Sequence, residues 1–147
     1  MDDKNSANQL KAWEMLISRH SLVLRKIEKD LEQRKGVLPL HWYDVLLVLY
    51  RSPEQRLRLS EIADRIVTSR SALTRSVEKL EQEGLLTKEV CAEDKRGQYA
   101  HITSAGKKAL KETWVYYKAA IEEHFGQYFT NTEAKEFQRL LEKLPSS

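Results

Sequence analysis

The sequence predicts a mainly α-helical fold with a small β-wing, and three observations support this fold class. Both ends of the chain carry apolar residues at alternating steps of three and four, which is the spacing of one face of a long helix. The middle third contains short helical stretches followed by two extended stretches around a turn. The 147 residues have the length of one domain, so we expect a single folding unit over 1–147.

The composition excludes several classes of protein. Hydrophobic residues make up 41% and charged residues 32% of the chain, which is typical of a folded protein. The net charge of +3 is too small to indicate a nucleic-acid partner by itself. No apolar run approaches the roughly 20 residues that span a bilayer, and residues 1–4 do not resemble a signal peptide. We therefore expect a cytoplasmic protein with no membrane partner.

The first long helix is predicted over about Asn8 to Arg34. Its apolar stripe consists of Leu10, Trp13, Ile17, Leu24, Ile27 and Leu31, and His20 fills the one position of the stripe that lacks an apolar residue. A second helix over Leu40–Tyr50 must be mostly buried, because nearly all of its residues are apolar, and Pro39 suits its first turn. Leu57–Leu59 should then be extended, and Ser60 should cap a short helix.

The next short helix is predicted over Arg70–Glu83, capped by Thr68 or Ser69 and ended by Gly84. One side of this helix is apolar, with Leu73, Val77 and Leu80. The opposite side is polar and consists of Ser71, Thr74, Arg75, Glu78 and Gln82, with Arg70 near the exposed N-terminal end.

A hairpin follows, with strands over Leu85–Cys91 and Tyr99–Thr103 around a turn at Asp94–Gly97; it is the only sheet that we expect. Thr103 or Ser104 opens a second long helix, whose apolar stripe consists of Leu110, Trp114, Tyr117, Ile121 and Phe125. A capping box at Thr130 opens the last helix, which should stop at Pro145. The apolar face of this helix consists of Phe137, Leu140, Leu141 and Leu144.

The order of these elements over 39–103 is that of a winged helix-turn-helix, with Ser69–Glu83 as the recognition helix. Arginine can form two hydrogen bonds with guanine, while serine and threonine can contact bases or phosphates, so the polar face suits a DNA major groove. The alternative is an ordinary solvated face, in which Arg75 pairs with Glu78 and Lys79 with Glu83. The basic turn Lys95-Arg96, at the distance of a minor-groove contact, favours DNA.

Three runs of residues resemble the helix-turn-helix of the MarR family: Leu59–Ile66, Ser69–Arg75 and Val77–Leu85. Asp94-Lys95-Arg96 followed by Ile102–Gly106 is similar to the wing signature of that family, D-x-R and then L-T-x-x-G, with Ile102 where leucine is usual. The resemblance covers about Leu57 to Leu110, and the flanking helices extend it over nearly the whole chain.

The resemblance implies a homodimeric transcriptional regulator, by expectation a repressor, which binds double-stranded DNA at an inverted-repeat operator. Helices over 8–34 and 104–144 would form the dimer, and their apolar stripes favour this; the alternative is that the stripes pack only on each other within one chain. Asp94 would orient the wing, and the DNA contacts would come from Ser69, Arg70, Ser71, Thr74, Arg75, Lys95 and Arg96.

MarR-like proteins often release DNA when a small aromatic or phenolic anion binds between the dimerisation helices and the DNA-binding part. The candidate residues for such a pocket are Trp13, His20, Trp42, Tyr43 and Asp64. Trp13, Asp64 and Arg96 also occur in the order found in the urate-responsive branch of the family. The alternative is that these residues belong to the core or to the dimer interface.

Other functions have weaker support in the sequence. Cys91 is a candidate redox sensor, but it cannot form an intramolecular disulfide, and peroxide-sensing relatives carry their cysteine near the first helix. The four histidines are scattered, so we expect no metal site unless the fold brings ligands together. No catalytic motif or phosphate-binding glycine loop is present, so we expect neither an enzyme nor a cofactor. The alternative function is a winged-helix module that binds proteins; Arg70, Arg75 and Arg96 argue against it.

Overall fold

The computed structural model describes residues 3–66, 68–90, 92 and 97–146. It is mainly helical with one small sheet, as the sequence predicts. In chain order the elements are α1 (Asp3–Glu32), α2 (Leu40–Tyr50), β1 (Arg56–Arg58), α3 (Leu59–Arg65), α4 (Arg70–Gln82), β2 (Leu86–Val90), β3 (Gln98–Ile102), α5 (Ser104–His124) and α6 (Asn131–Leu141). Short 3-10 helices occupy Pro53–Gln55 and Gly126–Tyr128.

The chain forms two compact units. One unit contains the residues up to 30 together with those from 117 onwards, and the other contains residues 31–116. The second unit includes all three strands and the helices α2, α3 and α4. No helix in the described part of the chain has the length and apolar character needed to cross a membrane.

The core of the 31–116 unit is built around α2, whose burial confirms the prediction from its apolar sequence. Its fully buried side chains are joined by others from α3, α4 and β2, and the largest of them are Leu46, Leu49, Val45, Ile62, Leu80, Val77 and Leu86. The segment before α2 is anchored by a buried hydrogen bond of 3.0 Å, which the backbone N–H of Leu38 donates to Oγ1 of Thr113. Pro39 lies at the N-cap of α2 and not in its first turn, which corrects the prediction.

The sheet contains three antiparallel strands in the order β1-β3-β2, where the sequence predicted a two-stranded hairpin. Leu57 of β1 pairs with Ala100 of β3, and both side chains are buried. The chain passes directly from β1 into α3, so Leu59 is helical and not extended. Arg58 is therefore the N-cap of α3, and the predicted cap Ser60 lies within the helix. The strand backbone runs into the first helical turn and leaves no separate polar cap position.

The α4 helix has both of its predicted ends. The Oγ of Ser69 accepts a hydrogen bond of 3.1 Å from the backbone N–H of Ala72, which satisfies one of the free donors of the first turn. At the other end, Gly84 adopts a left-handed conformation with φ of 75°, which glycine reaches without steric cost. Local signals at both ends therefore fix this helix to within one residue of the prediction.

In the other unit, the predicted capping box of α6 is present. Oγ1 of Thr130 accepts from the N–H of Glu133 at 3.1 Å, and Oε1 of Glu133 accepts from the N–H of Thr130 at 3.0 Å. Phe125, Phe129 and Phe137 pack together, with ring centroids 5.0 to 6.1 Å apart. The helix ends at Leu141 and not at the predicted Pro145. Beyond Leu141 the backbone hydrogen bonds tighten to the 3-10 pattern, in which the N–H of Lys143 donates to Leu140 and that of Leu144 to Leu141.

Candidate nucleic-acid interface

The polar side of α4 is exposed along its whole length. Leu73, Val77 and Leu80 are buried, as the helical projection predicts, and Ser76 is buried beside them. The residues on the opposite side are all exposed to solvent: Ser71, Thr74, Arg75, Glu78 and Gln82. Ser69 and Arg70 at the N-terminal end are exposed as well. The five predicted DNA contacts of this helix therefore lie on one accessible surface.

Hydrogen bonds fix the hydroxyl groups at the start of α4. Oγ of Ser69 accepts from the backbone at Ala72 and lies 3.3 Å from Oγ of Ser71. Oγ1 of Thr74 donates to the carbonyl oxygen of Arg70 at 2.9 Å. The hydroxyl proton of Thr74 is thus engaged in a hydrogen bond, while the residue itself is exposed to solvent. One hydrogen bond joins the hydroxyls of Ser69 and Ser71, and it uses one of their two protons. The other proton can be donated to a ligand.

The basic side chains of α4 form no ion pair within the described part of the chain. This applies to Arg70, Arg75 and Lys79, although Glu78 lies on the same helix and Glu83 directly follows it. The alternative in which Arg75 pairs with Glu78 and Lys79 with Glu83 is therefore not formed. Unpaired guanidinium groups on an exposed helix face are available to bind an anion or a base edge.

A second basic cluster lies on the sheet and was not predicted from the sequence. The guanidinium carbons of Arg56 and Arg58 lie 4.5 and 5.5 Å from the centroid of the Tyr99 ring, within the range of cation–π contacts. Nε of Arg58 donates to the hydroxyl of Tyr99 at 3.4 Å. Arg56 also forms ion pairs with Glu54 at 3.0 Å and Glu89 at 4.0 Å. These contacts hold β1 on β3, the central strand of the sheet.

The base of the wing is fastened by Thr103 and Gly106. Oγ1 of Thr103 donates to the carbonyl oxygen of Gly84 at 2.7 Å and accepts from the N–H of Gly106 at 3.0 Å. A Cβ atom on Gly106 would collide with the carbonyl oxygen of Leu85 and lie 2.8 Å from Cγ1 of Ile102. The threonine and glycine of the L-T-x-x-G pattern thus join the end of α4 to the start of α5.

Cys91, Asp94, Lys95 and Arg96 lie outside the described residues, so the predictions for these four positions stay predictions. The strands of the wing are described as far as the pair of Val90 with Gln98.

The candidate pocket residues lie on three helices in the two units. Trp13 and His20 are exposed on α1, and Asp64 is exposed on α3. Trp42 is half-buried, and its ring meets that of His41 edge-on at 6.3 Å. Tyr43 is buried, and this burial raises the pKa of its phenol. A common pocket for these residues stays a prediction.

Comparisons with known proteins agree with this geometry. A model of the MarR family matches residues 36–97. The transcriptional regulator MhqR of Bacillus subtilis is 33% identical over 81 residues, which cover 55% of this chain and 54% of the relative. The match thus spans about half the length of that curated relative.

Two solved structures of MarR family transcriptional regulators from Streptomyces coelicolor extend the match over most of the chain. Sco3205, in complex with DNA, has a TM-score of 0.80 and 28% identity, covering 95% of this chain and 90% of that one. AbsC has a TM-score of 0.77 and 25% identity, covering 96% and 91%. All three of these proteins are described as transcriptional regulators. Residues 36–97 thus match the MarR family, and most of the chain has a fold similar to that of MarR family regulators, in agreement with the resemblance of its helix-turn-helix and wing residues.

Proposed function

We propose that this protein is a transcriptional regulator that binds double-stranded DNA as a homodimer at an inverted-repeat operator, and that it acts as a repressor. The observation that carries the proposal is the exposed face of α4, where Arg70 and Arg75 are free of ion pairs among the described residues and lie beside hydroxyl groups. The DNA-bound structure of Sco3205 supports it. A cytoplasmic location belongs to the same proposal, since the operator is chromosomal.

Each side chain of this face suits a particular contact. Arg75 lies one turn into the helix, where a guanidinium group can reach the O6 and N7 atoms of guanine. The hydroxyl of Thr74 already donates a hydrogen bond to the backbone, so its oxygen would accept a hydrogen bond from a base amine. Its methyl group could instead contact the methyl group of thymine. Ser69, Arg70 and Ser71 surround the helix N-terminus, where free N–H groups and the helix dipole favour a phosphate.

The wing completes the proposed interface. Lys95 and Arg96 would contact the minor groove and its phosphates beside the site of α4, and Asp94 would orient the turn. The fastening of the wing base by Thr103 and Gly106 supports this role, because it fixes the direction in which the strands leave the end of α4.

The proposed homodimer is supported by apolar side chains that the single chain leaves exposed. On α1, Leu10 is 60% and Trp13 is 59% exposed, whereas Ile27 and Leu31 near the end of the same stripe are buried. On α5, Trp114 of the second stripe is 45% exposed. Each stripe is therefore only partly covered within one chain. A second copy of the chain would cover the rest, as the family resemblance implies.

We also propose that a small aromatic anion releases the protein from DNA. The support is the presence of Trp13 and His20 on α1 and of Trp42, Tyr43 and Asp64 in the DNA-binding unit. Salicylate and urate are the probes for this proposal. It fails if neither of them, at millimolar concentration, lowers the affinity for the operator.

Binding to a labelled duplex from upstream of the gene for this protein tests the proposed function, measured by fluorescence anisotropy over a series of salt concentrations. We expect the affinity to fall steeply as salt rises, because each neutralised phosphate releases counterions. Arg75→Ala should lower the preference for the operator over unrelated DNA by about 1–3 kcal/mol, the range for one bidentate base contact.

Arg139→Ala is the matched control for this experiment. Arg139 is an exposed arginine on α6, where it pairs with Glu136 at 2.6 Å. It is not one of the proposed DNA contacts, and its replacement removes the same charge from the chain. The control should bind the operator as the unmodified protein does. Absence of DNA binding at low salt would contradict the proposal, as would equal effects of the two substitutions. A module that binds only proteins would show no DNA binding at low salt.

A further inference from the structure

Three side chains with metal-binding groups come together in the unit formed by the two ends of the chain. They are Asp30 in the last turns of α1 and Glu123 and His124 at the end of α5, and their ligand atoms all lie within 4.8 Å of one another. Nε2 of His124 is 2.6 Å from Oδ2 of Asp30, although 94 positions separate the two residues in the chain. The fold therefore brings together ligands that spacing in the sequence does not indicate.

The dimensions of this cluster suit a divalent ion. Nitrogen and oxygen ligands lie at about 2.0–2.2 Å from Zn²⁺, so two ligand atoms of one ion are about 3–3.5 Å apart. The separations in the cluster extend from 2.6 Å to at most 4.8 Å and include this range. Glu123 is exposed, so rotation of its side chain can bring its carboxylate closer to the pair formed by Asp30 and His124.

The charges of the cluster also favour a cation. Two carboxylates outweigh one imidazole, and α5 ends at His124, where the dipole of a helix C-terminus adds partial negative charge. One imidazole nitrogen and two carboxylate oxygens suit Zn²⁺ and neighbouring divalent transition metals, whereas Mg²⁺ and Ca²⁺ prefer oxygen ligands alone.

A simple ion pair accounts for only two of the three residues. The side chains of His124 and Asp30 are 17% and 40% exposed and are paired with each other. The carboxylate of Glu123 forms neither an ion pair nor a hydrogen bond with any described residue, yet it lies within reach of both. A bound ion would give this third group a role.

We propose that Asp30, Glu123 and His124 bind one divalent transition-metal ion of the Zn²⁺ class. The ion joins the end of α1 to the end of α5 and so stabilises the unit to which both belong. None of these three residues belongs to the α4 surface, and the test of the site requires no DNA.

Isothermal titration of the full chain with ZnCl₂, and separately with MgCl₂, tests the site. We expect one Zn²⁺ per chain, no heat from Mg²⁺, and a higher melting temperature in the presence of Zn²⁺, because an ion that binds only the folded state stabilises it. Glu123→Gln should weaken Zn²⁺ binding by at least about tenfold, the lower end of the loss that even outer-shell substitutions cause. The melting temperature of this variant should no longer rise with Zn²⁺.

Glu122→Gln is the matched control, since Glu122 is the exposed neighbour on the same helix and the substitution removes the same charge. It should bind Zn²⁺ as the unmodified chain does. Both substitutions are at exposed positions, so we expect both variants to fold and their Zn²⁺ affinities to be directly comparable. The proposal is overturned if the unmodified chain does not bind Zn²⁺, or if the two variants bind it equally.

Discussion

At the residue scale, Thr103 and Gly106 show how a short sequence pattern corresponds to physical constraints. The hydroxyl of Thr103 reaches the carbonyl oxygen of Gly84, 19 positions earlier in the chain, and also caps the N–H of Gly106. Gly106 is needed because the backbone of Leu85 occupies the space that a Cβ atom would fill. A pattern recognised by resemblance thus corresponds to one hydrogen-bonded junction between α4 and α5.

Gly106→Ala should therefore destabilise the fold. The added methyl group must displace the backbone at Leu85, and forced overpacking of this kind costs about 1–3 kcal/mol. Urea unfolding followed by circular dichroism measures the loss. Gly126→Ala is the control, because its Cβ would lie 3.8 Å from the nearest atom, the carbonyl oxygen of Ile121. Equal unfolding midpoints for the two variants would show that the junction tolerates a side chain.

Residue types alone did not reveal two groups that the structure assembles. Arg58 meets Tyr99 from 41 positions away, and Asp30 meets His124 from 94 positions away. Sequence reasoning finds sites whose residues lie close together in the chain or follow a known pattern, as those of α4 do. It could not find these two groups, because their chemistry depends on which elements the fold places side by side.

At the scale of elements, the accuracy of the sequence predictions depended on local signals. The helix α4 was predicted to within one residue because Ser69 caps its start and Gly84 ends it. The three-residue strand β1 was predicted only as an extended segment, because its partner β3 lies more than forty positions away. Ser60 is a good cap by residue type, but it is not the cap of α3. The helix begins directly after β1, so the last residue of that strand, Arg58, is the N-cap.

Two substitutions at Ser69 can separate its capping role from its proposed contact with DNA. Ser69→Ala removes the cap and should lower the free energy of unfolding by about 1 kcal/mol. Ser69→Asp retains a capping oxygen and should leave the stability close to that of the unmodified chain. Its negative charge should nevertheless lower operator affinity, by about tenfold if it costs about 1.4 kcal/mol against a phosphate.

Thermal unfolding and anisotropy on the same samples give both quantities. If Ser69→Asp binds the operator as tightly as the unmodified protein, the start of α4 does not approach the DNA backbone. If Ser69→Asp is as unstable as Ser69→Ala, the hydrogen bond to Ala72 does not account for the stability of the helix start.

At the scale of the whole molecule, the two units divide the proposed functions. The unit of residues 31–116 contains the α4 surface and the strands of the wing, and its core is built around the buried side chains of α2. The unit formed by the chain ends contains exposed apolar side chains, among them Leu10, Trp13 and Tyr128. We expect that a second copy of the chain covers this apolar surface and presents a second α4 to the same DNA duplex.

Hydroxyl-radical footprinting on the operator tests this account most directly. A two-fold symmetric dimer with one α4 in each of two successive major grooves should protect two matching patches, with centres about 34 Å apart, one turn of DNA. The protected bases should read as an inverted repeat, and Arg75→Ala should weaken both patches equally. A single patch, or two patches without two-fold symmetry, would contradict the account.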